Sequence, residues 1–371
     1  MRSLTIGNPR RMALHRRLVL TAALAAPTLA RAEPAQAPRP ATPLPAPLAE
    51  AARALPARRL PVPDTVSPAL QRLIAGPYPP GWNAIPADAA GWRALQAVSA
   101  AAVEPHLPAL RAALRVQVER SRIGGVPVFT VTPETLPPEN RDRLLLHLHG
   151  GGYVLFPGES GAGEAMLMAA HGGFRCISVD YRMPPDHPFP AALEDTLAVW
   201  RTLCAQHDPR RMAIFGSSAG GGLTLATVLR ARGERLPLPA AIAPGTPWVD
   251  LLGAGDTRQA NAYVDNVLVA DTGWVSGAAR LYAAGRDPAE PLLSPINGDF
   301  AGFPPAILTS GTRDLLLSDT VRTHRKLRRA GVAAELQVFE GQSHAQFITP
   351  GVPETAEAFE EIGRFLAQHL L

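Results

Sequence analysis

The segment MAIFGSSAGGGLTLATVLRA, residues 212–231, contains the change of residue pattern that decides the fold. The apolar run MAIF leads into Gly-Ser-Ser-Ala-Gly, and small and apolar residues follow, which predicts a strand, a sharp turn and a helix. Ser218 lies at the turn, where Gly216 and Gly220 leave no side chain between strand and helix. The helix N-terminus supplies unpaired backbone donors beside the serine. This context predicts that Ser218 is a nucleophile and that the amide of Ala219 faces a developing oxyanion.

A second glycine-rich motif, HGGGY at residues 149–153, begins 69 residues before Ser218 at the end of the apolar run LLLHLHG. Consecutive glycines let backbone amides approach a substrate closely, so Gly151 and Gly152 are predicted to complete an oxyanion hole. Gly-x-Ser-x-Gly alone is weak, because about one chain in ten of this length and composition matches it by chance. The two motifs together predict a serine hydrolase.

A serine hydroxyl needs a base that takes its proton and an acid that orients the base. The apolar run PAILTSG ends in a turn that presents Asp314, and the run AAELQVF ends in a loop that presents His344. The rival Asp319 stands where the intervening helix should begin, and an Asp there more naturally caps that helix. We therefore predict that His344 is the base and Asp314 the acid. His147 and His149 flank a strand end, so packing or supporting hydrogen bonds are expected for them.

Four features together resemble the bacterial hormone-sensitive-lipase-like esterases of the α/β-hydrolase fold: HGGGY, the stretch YRMPPDHPFPAALED at residues 181–195, GSSAG, and the late Asp and His. The resemblance covers roughly residues 115–371. It implies hydrolysis of carboxylic esters through an acyl-enzyme, usually with short to medium acyl chains. It also implies that no metal or organic cofactor takes part.

Two departures from the family pattern concern the rim of the site. The family often follows its catalytic Asp with Pro-Leu, where this chain has Leu315 and Leu316. It often follows its His with Gly-Phe, where this chain has Ala345, Gln346 and Phe347. These departures put the substrate preference in doubt and leave the predicted triad intact.

Two alternatives remain open at this point. A lactone or an acetylated sugar is as compatible with the same triad as a simple alkyl ester. The second alternative is a non-catalytic small-molecule binding protein on the same fold, like the plant gibberellin receptors that resemble this family. This alternative is less favoured, because such a protein is expected to lack part of the triad. Here Ser218, Asp314 and His344 are all present.

Strand and helix patterns alternate from residue 144 onward, which predicts a mostly parallel eight-stranded sheet with helices on both faces. Residues 70–114 and 248–303 have no place in that sheet and are predicted to form a helical cap within a catalytic domain of residues 70–371. The predicted strands are 115–121, 126–132, 144–149, 175–181, 212–217, 240–245, 306–311 and 334–339. The predicted helices are 160–171, 190–206, 218–232, 271–284, 319–330 and 354–369.

The cap should supply apolar walls for a substrate pocket. Tyr153, next to the oxyanion glycines, is expected to contact the acyl group or the alcohol. The other predicted pocket residues are Trp248, Tyr263, Val267 and Leu268.

The first 32 residues have the three parts of an export signal: a basic segment ending in Arg16 and Arg17, an apolar run, and a small-residue cleavage site at Ala30-Arg31-Ala32. The twin arginine favours export by that route to the periplasm or medium. The apolar run has 12 residues, too few to span a bilayer, so no stable membrane insertion is expected after processing. Residues 33–69, rich in Ala and Pro, are predicted to be a linker.

Composition argues against a nucleic-acid partner. The net charge of +4 depends on the leader, because residues 33–371 contain 30 basic and 32 acidic side chains. The expected partner is a small-molecule ester, and the sequence gives no prediction of oligomeric state. The two cysteines, Cys176 and Cys204, are predicted to be small apolar core residues, with a disulfide as the alternative for an exported protein.

Overall fold

An eight-stranded sheet organises the computed structural model, which describes residues 55–371. The predicted export signal, residues 1–32, and residues 33–54 of the predicted linker lie outside the described residues, and one compact unit runs from Arg59 to Leu371. The strands are β1 (Val116–Ile123), β2 (Val126–Pro133), β3 (Leu144–Leu148), β4 (Arg175–Val179), β5 (Met212–Ser217), β6 (Ala241–Gly245), β7 (Ala306–Gly311) and β8 (Ala334–Phe339).

The strand order is β1-β2-β4-β3-β5-β6-β7-β8. β2 pairs antiparallel with β1 and β4, and all other neighbours are parallel. Every residue of β3, β5, β6 and β7 is buried, because helices cover both faces of the central sheet, and this explains their nearly continuous apolar sequences. All eight predicted strands are confirmed, with ends within two residues.

The helices fall into two groups, those that cover the sheet and those that belong to the predicted cap. Covering the sheet are α4 (Gly163–Leu167), α5 (Ala191–Gln206), α6 (Ala219–Gly233), α9 (Leu317–Arg329) and α10 (Pro353–His369). In the predicted cap regions are α1 (Pro68–Ile74), α2 (Ala89–Val103), α3 (Leu107–Leu114), α7 (Thr257–Ala260) and α8 (Trp274–Ala283). No helix of the described part combines the length and apolar character needed to cross a membrane.

One predicted helix, 160–171, is wrong in form. The structure divides it into a 3-10 turn (Gly158–Ala162), the short α4 and a π-helical turn (Met168–Gly172). A Cβ at Gly161 would lie 2.9 Å from the ring of His149, so the chain at this point packs directly on that ring. This close contact between Gly161 and His149 sets the winding of the segment, and the spacing of apolar residues in the sequence does not reveal it.

The two predicted cap regions pack against each other. A Cβ at Gly277 in α8 would lie 2.9 Å from both Ile85 and the ring of Trp92. Trp92 and Ala278 also share a small apolar cluster with Val154, which follows the HGGGY motif. The cap helices are therefore attached to the loop that carries the predicted oxyanion glycines.

Cys176 lies buried on β4 and Cys204 is half-buried on α5, and both are free thiols. The disulfide alternative is therefore not present in the structure.

Candidate active site

Ser218 occupies the turn between β5 and α6 with φ 58° and ψ −122°, a conformation that residues with a side chain rarely adopt. Its amide donates to the carbonyl of Gly245 at 2.9 Å, which ties the turn to the end of β6. A Cβ at Gly216 or Gly220 would lie 2.0 or 1.8 Å from the carbonyl oxygen of Leu148. The two glycines therefore allow the strained turn to pack directly against the end of β3.

The HGGGY loop lies beside this turn. A Cβ at Gly150 would be 3.3 Å from the Cβ of Ser218. Gly151 and Gly152 have φ values of 94° and 62°, which favour glycine. Within residues 55–371, no backbone carbonyl accepts a hydrogen bond from the amides of Gly151, Gly152 or Ala219. The structure thus brings the two motifs together and leaves the three predicted oxyanion donors without backbone acceptors.

His149 supports this loop. Its ring stacks on Tyr181 at 4.1 Å between centroids, and its Nδ1 lies 2.8 Å from the carbonyl oxygen of Gly150. The Tyr181 hydroxyl donates to the carbonyl of His149 at 2.7 Å. Burial lowers the pKa of His149 to about 3, so the ring is neutral at physiological pH and holds the loop by hydrogen bonding and stacking.

Asp314 and His344 form a buried pair at the same edge of the sheet. His344 Nδ1 lies 3.0 Å from Asp314 Oδ1. The carboxylate also accepts hydrogen bonds from Ser310 Oγ at 2.7 Å, from the Leu316 amide at 2.8 Å and from the hydroxyl of Thr246. Burial acts to raise the pKa of Asp314, but the His344 ring and the hydrogen bonds outweigh it and lower this pKa below its ordinary value. The acid is therefore ionised, and it fixes the proton of His344 on Nδ1.

The serine and the acid–base pair meet through the end of β6. Gly245 accepts from the Ser218 amide, and the next residue, Thr246, contacts both Asp314 and His344. Among the described residues, Nε2 of His344 has no hydrogen-bond partner. The structure therefore joins acid to base and shows no hydrogen bond from the Ser218 hydroxyl to the ring. Such contacts are often long without substrate and shorten when substrate binds.

Asp319, the rival acid, makes no hydrogen bond to His344. It is buried inside α9, where its Oδ2 accepts from the guanidinium of Arg258 at 3.0 Å. The predicted N-cap role is wrong, because α9 begins at Leu317 and Leu316 precedes it. Asp319 serves a buried ion pair that ties the insertion after β6 to α9.

The predicted pocket residues differ in exposure. Tyr153 is buried and stacks on Tyr282 with ring centroids 3.7 Å apart, and the ring centroid of Trp248 lies 6.2 Å from that of Tyr153. Leu268 is buried and Val267 is half-buried. Tyr263 is 63% exposed, with its ring edge against Trp82. The described contacts of these five residues are with protein, and their contact with substrate stays a prediction.

Three polar residues of this site were missed by sequence reasoning. Thr246 and Ser310 lie after β6 and at the end of β7, and polar residues at the carboxyl ends of parallel strands were the available signal. Asp265, whose carboxylate accepts from the amides of Leu315 and His344, lies in the insertion after β6. No periodic pattern covers that segment, so no signal in this chain identified it.

Comparison with known proteins adds four similarities. A family model described as the alpha/beta hydrolase fold matches residues 145–348. The acetyl-hydrolase of Streptomyces hygroscopicus is 35% identical over 254 residues, which cover 65% of this chain and 83% of that protein. The solved structure of esterase E25 is 41% identical with a TM-score of 0.83, over 86% of this chain and 99% of that chain. An esterase of the bacterial hormone-sensitive lipase family is 35% identical with a TM-score of 0.64, over 69% and 86% of the two chains.

Proposed function

Because the chain belongs to the α/β-hydrolase fold family, in its bacterial hormone-sensitive-lipase branch, we propose that it hydrolyses carboxylic esters through an acyl-enzyme formed on Ser218. One observation carries this proposal. A buried, ionised Asp314 bonded to His344 lies next to the strained turn that presents Ser218. The names of the relatives, acetyl-hydrolase and esterase, support the same reaction class.

The proposed chemistry follows from the tautomer of His344. Asp314 accepts the Nδ1 proton, which leaves the Nε2 lone pair available to take a proton. Ser218 Oγ attacks the ester carbonyl carbon as Nε2 accepts the hydroxyl proton, and a tetrahedral oxyanion forms. Amides of Gly151, Gly152 and Ala219 donate to this oxyanion, and they do so without first giving up a backbone hydrogen bond.

Collapse of the tetrahedral intermediate releases the alcohol, which takes the proton from Nε2 of His344. Water then attacks the acyl-enzyme with the same base, and the carboxylic acid leaves. The positive charge on the ring in both steps is stabilised by Asp314, whose four hydrogen-bond donors keep it ionised while buried.

We propose short to medium acyl chains as substrates. The acetyl-hydrolase relative supports a small acyl group. Leu315 and Leu316, which stand where the family often has Pro-Leu, directly follow Asp314 and are both buried in the apolar core. An acetylated sugar or a lactone is compatible with the same chemistry and is the second candidate.

The experiment measures hydrolysis of p-nitrophenyl esters from acetate to dodecanoate. Ser218→Ala is expected to lower kcat by a factor of at least about 1,000. Ser217→Ala is the matched control: this neighbouring serine is buried and donates to Glu164 Oε1 at 2.6 Å, so the variant should retain ester hydrolysis. Equal rates for wild type and Ser218→Ala on every ester, lactone and acetylated sugar would overturn the proposal.

We also propose that the enzyme is exported to the periplasm or medium. The basic, apolar and small-residue parts of residues 1–32 support this. Mass spectrometry of the secreted protein should give an N-terminus at Glu33, and a cell-retained protein starting at Met1 would contradict export.

A further inference from the structure

Asp265 is a buried carboxylate at the junction of three loops. It lies in the insertion between β6 and β7 and is fully inaccessible to solvent. Its Oδ1 accepts from the amides of Val267 at 2.7 Å and Leu268 at 3.0 Å. Its Oδ2 accepts from the amides of Leu315 at 2.8 Å and His344 at 3.1 Å. One side chain therefore holds its own turn, the residue after Asp314, and His344 itself.

The donor set identifies the charge state of Asp265. All four of its partners are backbone N–H groups, and a protonated carboxyl would direct its O–H at one of them. Burial and the neighbouring Asp314 raise the pKa of Asp265 above its ordinary value, although the His344 ring and the backbone donors oppose that rise. The side chain thus carries a second negative charge near the base, besides Asp314.

The adjacent residue, Asn266, extends the same junction. Its amide donates to Ser343 Oγ at 3.1 Å, and its Oδ1 accepts from Gln346 Nε2 at 2.9 Å. Its Nδ2 donates to the carbonyl of Leu73 at 2.7 Å, at the end of α1. Two consecutive residues of the insertion, Asp265 and Asn266, therefore hold the loop of His344 by hydrogen bonds to the histidine itself and to residues on both sides of it.

We propose that Asp265 is a positioning residue for catalysis: its carboxylate sets the spacing between Asp314 and His344 and stabilises the protonated base. This inference rests on the proposed function, because it takes those two residues as acid and base. Asp265 acts through its hydrogen bonds to backbone amides and through its negative charge, and it touches no reacting atom. Loss of Asp265 should lower kcat more than it changes KM, because a displaced His344 weakens stabilisation of the transition state more than it weakens substrate binding.

Asp265→Asn keeps the size of the side chain and removes the charge. Whichever way the amide turns, its NH2 group faces two backbone N–H donors, so one pair of hydrogen bonds is lost. We expect kcat to fall about 100-fold with KM within about threefold of wild type. The acidic limb of the pH profile of kcat/KM should move to lower pH, because an anion near the base is removed.

The matched control is Asp195→Asn. Asp195 is also a buried carboxylate, 6% exposed, and it accepts from the backbone amide of Arg182 at 2.8 Å. The control should lower the melting temperature and leave the pH profile unchanged. Equal loss of kcat in both variants, or an unmoved acidic limb in Asp265→Asn, would show a merely structural role and overturn the proposal.

Asp265→Glu provides a second variant if the asparagine variant does not fold. It keeps the charge and lengthens the side chain, so kcat should fall while the acidic limb stays where wild type has it. A limb that moves equally in the glutamate variant would contradict the charge effect.

An NMR titration of the His344 ring separates this inference from the proposed function, because it needs no substrate. If wild type hydrolyses no ester but the titration midpoint of the ring is lower in Asp265→Asn, the proposed function fails and Asp265 still stabilises the charged ring. If wild type is active and the midpoint does not move, the inference about Asp265 fails and the esterase proposal stands.

Discussion

Gly220→Ala tests how tightly α6 must pack on the end of β3. Gly220 is the second residue of α6, and a Cβ there would lie 1.8 Å from the carbonyl oxygen of Leu148 and 2.7 Å from that of His149. Real Cβ atoms essentially never come closer than 3.0 Å, so the helix or the strand end must move by about 1.2 Å. That movement occurs beside the proposed oxyanion amide of Ala219.

The expected magnitudes follow from this displacement. Overpacking costs about 1–3 kcal/mol or more, and the higher helix propensity of Ala returns up to about 1 kcal/mol. We expect net destabilisation of about 2 kcal/mol, which lowers Tm by about 3 °C for a domain of this size. A displacement of about 1 Å in a catalytic group reduces rates about 100-fold, so kcat on p-nitrophenyl acetate should fall by about that factor.

Gly233→Ala is the matched control for this prediction. Gly233 ends the same helix, and a Cβ there would meet nothing within 4 Å. The control should have a Tm equal to or slightly above wild type and an unchanged kcat. Calorimetry and steady-state kinetics on both variants decide the matter. If Gly220→Ala matches Gly233→Ala in Tm and kcat, neither the stability nor the activity of the protein requires a glycine at residue 220.

Two further predictions concern buried carboxylates. Thr246→Val removes a hydrogen-bond donor to Asp314. Because hydrogen bonds to charged groups are worth about 1.5–3 kcal/mol, kcat/KM should fall about 10- to 100-fold, and Ser310→Ala should show a similar loss. A value of kcat/KM within twofold of wild type would count against the role of Thr246. Burial raises the pKa of Asp319 from 3.8 to about 6 despite its pair with Arg258. Because the folded state then binds the proton more tightly, stability should fall by up to about 3 kcal/mol as pH rises from about 4 to about 6, and stay level above. Urea unfolding across that range should show no such fall for Asp319→Asn, and equal slopes in both proteins would contradict the assignment.

Much of the sheet could be predicted because its strands are buried on both faces. β3 and β5 are short, nearly continuous apolar runs that lead into the glycine-containing motifs HGGGY and GSSAG, and this leaves few alternatives for their type and ends. The segment 160–171 was predicted with the wrong winding, since packing of Gly161 on His149 decides it. Such a contact joins elements that are distant in sequence, and local pattern does not contain it.

The site residues also divide into those that local sequence pattern predicts and those that depend on contacts between distant parts of the chain. Ser218, Asp314 and His344 could be proposed because each follows a strand whose carboxyl end lies at one edge of the sheet. Asp265 could not, because its four partners are backbone amides whose positions depend on the folded loops. Asp319 was misjudged for a related reason, since its partner Arg258 lies 61 residues away in the unpatterned insertion.

We propose that Ser218 is activated by His344 and attacks an acyl carbon. The most direct test is peptide mass spectrometry after treatment with a fluorophosphonate, which phosphonylates only an activated serine. We predict one adduct per chain, on Ser218, with none formed in His344→Ala. No adduct on the wild-type protein, or an adduct on another serine, would contradict the assignment of Ser218 as the nucleophile.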